Sequence, residues 1–408
     1  MKHVWILNHY AQEPGGAGGT RHYSLAKHLL SHGWRASVIA ASVELNTGHQ
    51  RLADNEKHRM ADFDGVTFLW VRTPQYKGNG GGRVKNMLVY ALRVLMPSVT
   101  QGLGRPDVIV GSSVHLFAAL SGAILAWRFG VPFVFEVRDL WPQTLVDMGR
   151  LHADGLVTKA LKWLEKWLYR RAGRIVVLLP KATDYIVPLG INAEKIIWVP
   201  NGVELAGYPE PSQPSGKGNF TLMYFGAHGQ ANGLDCILYA MAEIKKMPSM
   251  QHVKLRLIGD GPLKSELQTR AQSLELYNVE FNVPVPKLGI PSLASEADGF
   301  VISVRDLPGL YRFGISMNKI FDYLAAARPI IIASSAANNP VEEAGAGLTV
   351  PPEDPIALAK AIVSLVEMTA EQRAVMGYAG RDYVKRYHGF DNLALKLATT
   401  LDELVAEC

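Results

Sequence analysis

Short apolar segments alternate with helix-length amphipathic segments along almost the whole chain, and this alternation limits the fold more than any other feature. It predicts parallel strands joined by crossover helices, because a parallel connection needs a dozen or more residues. The predicted strands of the first half are 4–7, 36–40, 66–71, 108–111, 132–136 and 175–179. Those of the second half are 221–225, 254–258, 279–281, 299–304 and 330–333.

The alternation restarts after a segment rich in Pro, Gly and Ser, which predicts an α/β protein of two Rossmann-like domains facing across a cleft. We place the first domain at 1–205, a linker at 206–218 and the second domain at 219–385. A last helical stretch, 386–408, has no strand after it and can cross back to the first domain. Ligands of such sheets bind at the carboxyl ends of the strands.

Composition excludes several classes of protein. With 48% hydrophobic and 19% charged residues, the chain is typical of a globular protein and unlike a disordered one. Two cysteines exclude a disulfide framework. We see neither a secretory leader nor an apolar run of the ~20 residues that cross a membrane. The sequence therefore predicts a cytoplasmic protein, soluble or peripherally attached to the inner membrane.

Two glycine-rich segments each follow a predicted strand and precede a predicted helix. Gly16 and Gly19 lie in Pro-Gly-Gly-Ala-Gly-Gly-Thr-Arg, and Gly226, Gly229 and Asn232 lie in Gly-Ala-His-Gly-Gln-Ala-Asn-Gly. Glycine lets the backbone approach a ligand closely, and free N–H groups at a helix start favour phosphate. We predict an anion-binding loop in each domain, with a flexible connection as the alternative.

A helix predicted after residue 317 carries Lys319 and Asp322 on one face. The cation can neutralise phosphate while the carboxylate accepts hydrogen bonds from two ribose hydroxyls, so the pair suits a nucleoside diphosphate. A surface salt bridge between the two is the alternative. The turn Gly-Asp-Gly-Pro at 259–262 is equally consistent with a ligand role and with simple turn chemistry.

Charged residues also follow a buried strand of the first domain. Glu136, Arg138 and Asp139 lie at its carboxyl end, where charges rarely serve packing. Arg138 and Asp139, together with Lys319, are our catalytic candidates. The alternative is a structural ion pair of Arg138 with Asp139 or Glu136.

These motifs occur in a recognisable order. They are, in order, the glycine loop, Glu-Val-Arg-Asp-Leu-Trp, Asn-Gly-Val-Glu, Gly-Asp-Gly-Pro-Leu and the segment 319–329. Together they resemble the family 4 retaining glycosyltransferases of GT-B fold. The bacterial branch that builds O-antigen, colanic acid and related surface polysaccharides is the most similar. The resemblance implies an acceptor-binding first domain and a donor-binding second domain, a UDP-sugar donor, and a glycan or polyprenyl-diphosphate-linked acceptor. It implies no metal or other cofactor, and no nucleic-acid partner is expected.

The resemblance also assigns residues of the second domain. It implies that Asp322 binds the ribose hydroxyls, that Lys319 and the loop 226–233 hold the diphosphate, and that Val283 and Pro284 meet the uracil. The chain departs from the family pattern at three kinds of position. Gly314 replaces the first of two glutamates, Asp322 replaces the second, and His228 and Asn232 replace the Arg and Lys of the phosphate loop. Arg305 or Arg312 could supply the missing charge.

The stretch 158–174 combines apolar, basic and aromatic residues at helical spacing. Its apolar face is Leu161, Leu164 and Leu168, and its tryptophans are Trp163 and Trp167. Basic amphipathic helices with tryptophan can lie in a membrane interface, so an inner-membrane surface is a candidate partner. A domain helix with a solvated basic face is the equal alternative.

Two other functions remain open from the sequence. A nucleotide-sugar 2-epimerase shares the fold, and Glu136, Asp139 and His115 could serve its proton transfers. A catalytically inactive partner subunit that binds sugar nucleotide would fit the altered residues at 228, 232 and 314.

Overall fold

The computed structural model describes residues 1–16, 19–45, 47–78, 80–113, 115–210 and 218–407. It divides the chain into two compact units, the first formed by Met1–Asn201 with Phe390–Cys408 and the second by Gly202–Gly389. Each unit is built on a largely parallel sheet with helices on both faces. The predicted fold class of two Rossmann-like domains is therefore confirmed.

The first unit contains an eight-stranded sheet. Its strands are β1 Lys2–Leu7, β2 Trp34–Ala41, β3 His58–Phe63, β4 Val66–Val71, β5 Val108–Ser112, β6 Phe133–Val137, β7 Arg174–Val177 and β8 Ile196–Trp198. They run in the order β3-β4-β2-β1-β5-β6-β7-β8, and all pairs are parallel except β3 with β4. The strand order reverses between β1 and β5, which is where such sheets bind ligands.

Helices cover both faces of this sheet. They are α1 Arg21–Leu29, α2 Gly81–Val94, α3 Pro97–Thr100, α4 Leu116–Phe129, α5 Gln143–Asp147, α6 Leu156–Arg171 and α7 Thr183–Ile186, with α16 Phe390–Ala406 from the end of the chain. α16 packs against α1, and Asp402 accepts hydrogen bonds from Lys2 at 2.6 Å and from the Trp34 indole at 3.1 Å. On the opposite face, α4 packs against both α2 and α6.

The second unit has a six-stranded, fully parallel sheet. Its strands are β9 Phe220–Phe225, β10 Val253–Ile258, β11 Val279–Asn282, β12 Gly299–Ser303, β13 Ile330–Ala333 and β14 Gly347–Val350, in the order β11-β10-β9-β12-β13-β14. Its helices are α8 Leu234–Lys245, α9 Lys264–Ser273, α10 Ile290–Ser295, α11 Pro308–Tyr311, α12 Asn318–Ala325, α13 Pro340–Glu343, α14 Pro355–Glu367 and α15 Ala370–Tyr387. The order reverses between β9 and β12, so their carboxyl ends define the expected ligand edge.

The start of the segment expected to be a linker is ordered. Leu205–Gly207 form a short 3-10 turn, and Tyr208 is buried in the core of the second unit. Residues 211–217 of the expected linker lie outside the described part of the chain. The second unit begins at Gly202, so the ordered residues 205–208 belong to it and Tyr208 contributes to its core.

Among the helices that the structure describes, none combines the length and the apolar character that a membrane crossing requires.

Candidate functional site

The second glycine loop begins where β9 ends, beside the switch in strand order. Gly226 has a φ of 153° and Gly233 a φ of 51°, and a 3-10 turn over Gln230–Asn232 precedes α8. Gly233 is the residue immediately before α8. The loop thus has the strand–turn–helix context that phosphate-binding loops use.

The Gly-Asp-Gly-Pro turn packs directly on this loop. A Cβ on Gly259 would lie 1.9 Å from the Gly226 carbonyl oxygen, and one on Gly261 would lie 2.5 Å from the His228 carbonyl oxygen. The His228 N–H donates to the Asp260 carbonyl at 2.8 Å. Glycine is therefore needed here for a close backbone approach, which gives the turn a role in holding the loop.

We expect Gly259→Ala to displace the loop at 226–233. The added methyl group cannot avoid the Gly226 carbonyl, and overpacking of this kind costs about 1–3 kcal/mol of stability. Chemical unfolding measures the loss of stability. Gly229→Ala is the matched control, since its Cβ would have 3.7 Å to the nearest atom, Asn232 Nδ2; equal effects of the two substitutions would contradict the expectation.

Lys319 connects the loop to α12. Its Nζ donates to the Tyr224 hydroxyl at 2.7 Å and to Asn232 Oδ1 at 2.7 Å, and it lies 4.4 Å from the centre of the Tyr224 ring. Tyr224 and Asn232 in turn each donate to the Ala227 carbonyl, at 2.8 and 3.0 Å. The ammonium group thus stabilises the loop conformation, and three sequence-predicted residues, Gly226, Asn232 and Lys319, come together.

Burial shifts the pKa values of two side chains at this site. Burial lowers the pKa of Lys319 to about 7. Burial likewise lowers the pKa of His228 to about 4, so this imidazole is neutral. In the described part of the chain neither ring nitrogen of His228 has a hydrogen-bond partner, although the side chain is buried. A buried polar group without a partner is costly, and an added ligand could relieve that cost.

Asp322 has different partners from Lys319. It accepts a hydrogen bond from the Tyr208 hydroxyl at 2.8 Å, and its two oxygens accept from Lys287 Nζ at 2.5 and 2.7 Å. The alternative of a salt bridge between Lys319 and Asp322 is therefore wrong, because the two side chains leave the helix toward different neighbours. The Lys287 contact also brings the segment after β11 to α12.

The remaining predicted residues of the second unit vary in setting. Val283 and Pro284 lie in the exposed segment after β11. Gly314 has a φ of 101°, a conformation that favours glycine, so a glutamate here would be strained. Arg305 pairs with Asp235 at 2.8 Å and Glu353 at 2.9 Å, so its charge is already compensated.

In the first unit, the predicted residues lie on the loops that follow β1 and β6. Gly16 is buried, and a Cβ on it would lie 2.4 Å from Gln12 Oε1; Gly19 is half-buried shortly before α1. Ala17 and Gly18, between them, lie outside the described residues. Asp139 is exposed, whereas Arg138 is half-buried and its N–H donates to Ser113 Oγ at 3.2 Å.

A buried ionic network that sequence reasoning missed lies at the ligand edge of the first sheet. Glu136 accepts from Arg21 Nε at 3.0 Å and lies 2.6 Å from His22 Nε2, and Arg21 donates to the carbonyls of Val199 and Pro200. Burial disfavours a charge on Glu136, but His22 and Arg21 outweigh it and hold its pKa well below the usual value. The alternative of an ion pair between Arg138 and Glu136 is therefore not what the structure shows.

A second buried pair lies nearby. His9 Nδ1 is 2.5 Å from His115 Nε2, and His9 Nε2 is 2.6 Å from Asn86 Oδ1. Burial lowers the pKa of His9 to about 3, so the pair is neutral. Glu136 and His115, two of the residues considered for an epimerase, thus belong to separate networks. Glu136 gives a signal in the sequence, since it is a charged residue within the apolar strand β6, whereas Arg21, His22 and Asn86 lie on helices and give none.

Comparisons with known proteins agree with this architecture. Residues 16–202 match the family described as glycosyl transferase 4-like domain, and residues 219–368 match the family described as glycosyl transferases group 1. A protein of Pseudomonas aeruginosa described as probable glycosyltransferase WbjE is 23% identical over 282 residues, which cover 66% of this chain and 68% of the relative.

Solved structures share the fold over the full length. Sucrose-phosphate synthase from Thermosynechococcus elongatus matches with a TM-score of 0.76 and 16% identity, covering all of both chains. HepE of Anabaena, solved in complex with UDP, matches with a TM-score of 0.69 and 16% identity, covering 99% of this chain and 100% of the other.

Proposed function

We propose that the chain is a glycosyltransferase of GT-B fold that moves a sugar from a UDP-sugar to an acceptor with retention of anomeric configuration, which the two family matches and the shared fold support. The acceptor is a glycan or a polyprenyl-diphosphate-linked glycan of surface-polysaccharide biosynthesis. The complexes of HepE with UDP and with UDP-glucose support the choice of a uridine nucleotide. The WbjE relative supports glycosyl transfer by a bacterial protein.

The observation that carries this proposal is the position of Lys319. Its Nζ lies at the loop that joins β9 to α8, between Tyr224 and Asn232. The imidazole of His228, neutral and without a hydrogen-bond partner in the described part of the chain, belongs to the same loop, and its ring N–H can donate a hydrogen bond to a phosphate oxygen. An ammonium group, glycine N–H groups and an imidazole together suit a diphosphate, which is multiply charged and accepts many hydrogen bonds.

The same groups can assist bond cleavage. Glycosyl transfer places negative charge on the departing diphosphate, and a preformed donor to such charge typically lowers the barrier by about 2.7–4 kcal/mol. Lys319 and the loop N–H groups supply this stabilisation. The departing diphosphate then takes the proton of the acceptor hydroxyl on the same face of the sugar. Asp322 binds the ribose. Because both of its oxygens accept hydrogen bonds from Lys287 Nζ, this ion pair must open or rearrange when the ribose hydroxyls bind.

A nucleotide panel tests the donor class. We expect UDP to raise the melting temperature of the purified protein more than GDP, ADP or CMP does. A larger shift with GDP would replace the uridine donor by a guanosine one. If none of the nucleotides raises the melting temperature, the proposed site around Lys319 is overturned and an inactive partner subunit is favoured.

The affinity for UDP is expected to depend on pH through Lys319. A bound diphosphate raises the pKa of Lys319 from about 7, so binding above that pH requires proton uptake. Affinity should therefore fall as pH rises from about 7 to 9, by at most about tenfold per pH unit for one proton. The second pKa of a phosphate is about 6, so UDP itself is already fully ionised. Titration calorimetry measures the slope, and an equally steep slope in Lys319→Met would contradict this assignment.

A further inference from the structure

Three neighbouring helices of the first unit, α2, α4 and α6, expose large apolar side chains. Along and just beyond α2, the exposed row is Val84, Leu88, Leu92 and Met96, at a spacing of four residues. Along α6, it is Leu156, Trp163 and Trp167. Leu92 is 67% exposed and Trp163 is 68% exposed. Such rows lie on one face of a helix, and large exposed apolar patches mark interaction sites.

α4 connects the two rows. It packs against both α2 and α6, and Trp127 at its end is 71% exposed. Arg128 donates to the Leu95 carbonyl at 2.6 Å, which fixes the end of α4 beside the end of α2. Because β5, β6 and β7 are parallel neighbours and each helix leads to the amino end of the next strand, the last turns of the three helices lie at one edge of the sheet. Leu92, Trp127 and Trp167 therefore belong to one continuous surface.

The charge of these helices is almost entirely positive. α2, α4 and α6 carry three, one and five Lys or Arg residues, and their single acidic residue is Glu165. Glu165 is buried and accepts hydrogen bonds from Tyr169 and Tyr185. On the outward face, Lys159 and Lys162 are exposed beside Trp163. The surface is thus complementary to an anionic one.

The leucine row of α6 has another role. Leu168 is buried, and Leu161 and Leu164 are half-buried, so this row faces the protein and not the solvent. The apolar face identified from the sequence is therefore the packing face. The tryptophans, which lie on a different row, remain available for a partner.

We propose that the exposed rows of α2 and α6, together with Trp127 at the end of α4, form one docking surface for an anionic lipid bilayer. The tryptophans and the exposed leucines enter the interface between headgroups and acyl chains, where tryptophan is favoured, while the lysines contact lipid phosphates. Membrane docking is a function in addition to the transfer reaction, and its surface belongs to the first unit, whereas Lys319 belongs to the second. It brings the first unit to the place where a lipid-linked acceptor would be found.

Vesicle co-sedimentation of the full chain tests the proposal. We expect binding to vesicles containing phosphatidylglycerol and little binding to pure phosphatidylcholine. Lys159→Gln with Lys162→Gln should weaken binding about 25-fold, since each cation near an anionic leaflet contributes about fivefold. Trp127→Ser and Leu92→Ser should each weaken it about tenfold or more through lost apolar burial. Tyr277→Ser, an exposed aromatic of the second unit, is the matched control and should bind as the unchanged protein does.

The stabilisation by UDP is measured on every variant, so that failure here is distinguished from failure of the proposed transfer site. Loss of vesicle binding with an intact UDP response supports the docking surface. Absence of binding by the unchanged protein overturns it. Loss in a Trp163→Ser variant, with full binding by Trp127→Ser and Leu92→Ser, would also overturn the three-helix surface. A dimer in vesicle-free sedimentation velocity that Trp127→Ser abolishes would replace the bilayer by a second copy of the chain.

Discussion

Lys319→Met is expected to lower kcat about 10²–10³-fold, the usual cost of losing one donor to the charge that develops in a transition state. Methionine keeps most of the volume of lysine and removes the ammonium group that contacts Tyr224 and Asn232. The loss should appear chiefly in kcat, because the charge on the diphosphate grows as the glycosidic bond breaks. The measurement is release of the nucleoside diphosphate that the nucleotide panel identifies from sugar donors that contain it.

Lys396→Met provides the matched control for this substitution. Lys396 is another lysine with a pKa lowered by burial, and it lies 5.8 Å from the centre of the Trp198 ring in the first unit. We expect its replacement to leave turnover within about twofold of the unchanged protein, since no proposed ligand group is near it. A rate loss of equal size in both variants would show that Lys319 acts through stability and not through the leaving group. Lys319→Arg tests geometry, because a planar guanidinium keeps the charge and changes the direction of the donors.

Glu136→Ala should destabilise the protein by about 3–5 kcal/mol, which is the cost of leaving a buried charge without its partner. Arg21 would remain buried with its guanidinium held only by the carbonyls of Val199 and Pro200. Denaturant unfolding measures the effect, and its first transition is the relevant one because two domains need not unfold together. Burial of the pair is what makes the expected cost large.

Two further variants serve as controls for this experiment: one breaks an exposed ion pair, and the other removes both partners of the buried pair. Glu407→Ala breaks the exposed contact with Arg174 and should lower the free energy of unfolding far less than Glu136→Ala does, because solvent-exposed ion pairs contribute little. Glu136→Ala combined with Arg21→Met should cost less than the two single losses added together, because the second change removes the charge that the first leaves unpaired. Additive losses would contradict the view that Arg21 and Glu136 stabilise each other.

Several features of the candidate site could be read from residue order. Gly226, Asn232 and Lys319 were identified as one phosphate-binding group, and the structure brings them together. Their prediction was feasible because a glycine loop after a strand and a cation early in a helix are local patterns. Tyr224 was not predicted, since its position within β9 resembles that of any buried aromatic. The partner of Asp322, Lys287, lies 35 residues away and has no local signal.

Three of the strands were not predicted from the sequence, and the same physical reason applies to all three. β3, β8 and β14 are all edge strands of their sheets. β3 has only exposed and half-buried residues, and β8 and β14 have only three and four residues. An edge strand is covered on fewer sides than a central one, so it needs no continuous apolar run. The central strands, buried on both faces, carry such runs and were found.

Periodicity along the chain thus determined the α/β class, the two sheets and the loops that hold the candidate phosphate site, because burial on both faces demands apolar strands at regular intervals. The tertiary structure alone decided that α16 packs on α1, that Glu136 pairs with Arg21, and that the tryptophans of α6 face outward. Each of these depends on the order of strands in a sheet, which joins residues more than a hundred positions apart. Local sequence carries the pattern of burial of a helix or strand, whereas the choice of the neighbour that covers it is made only when the sheet assembles.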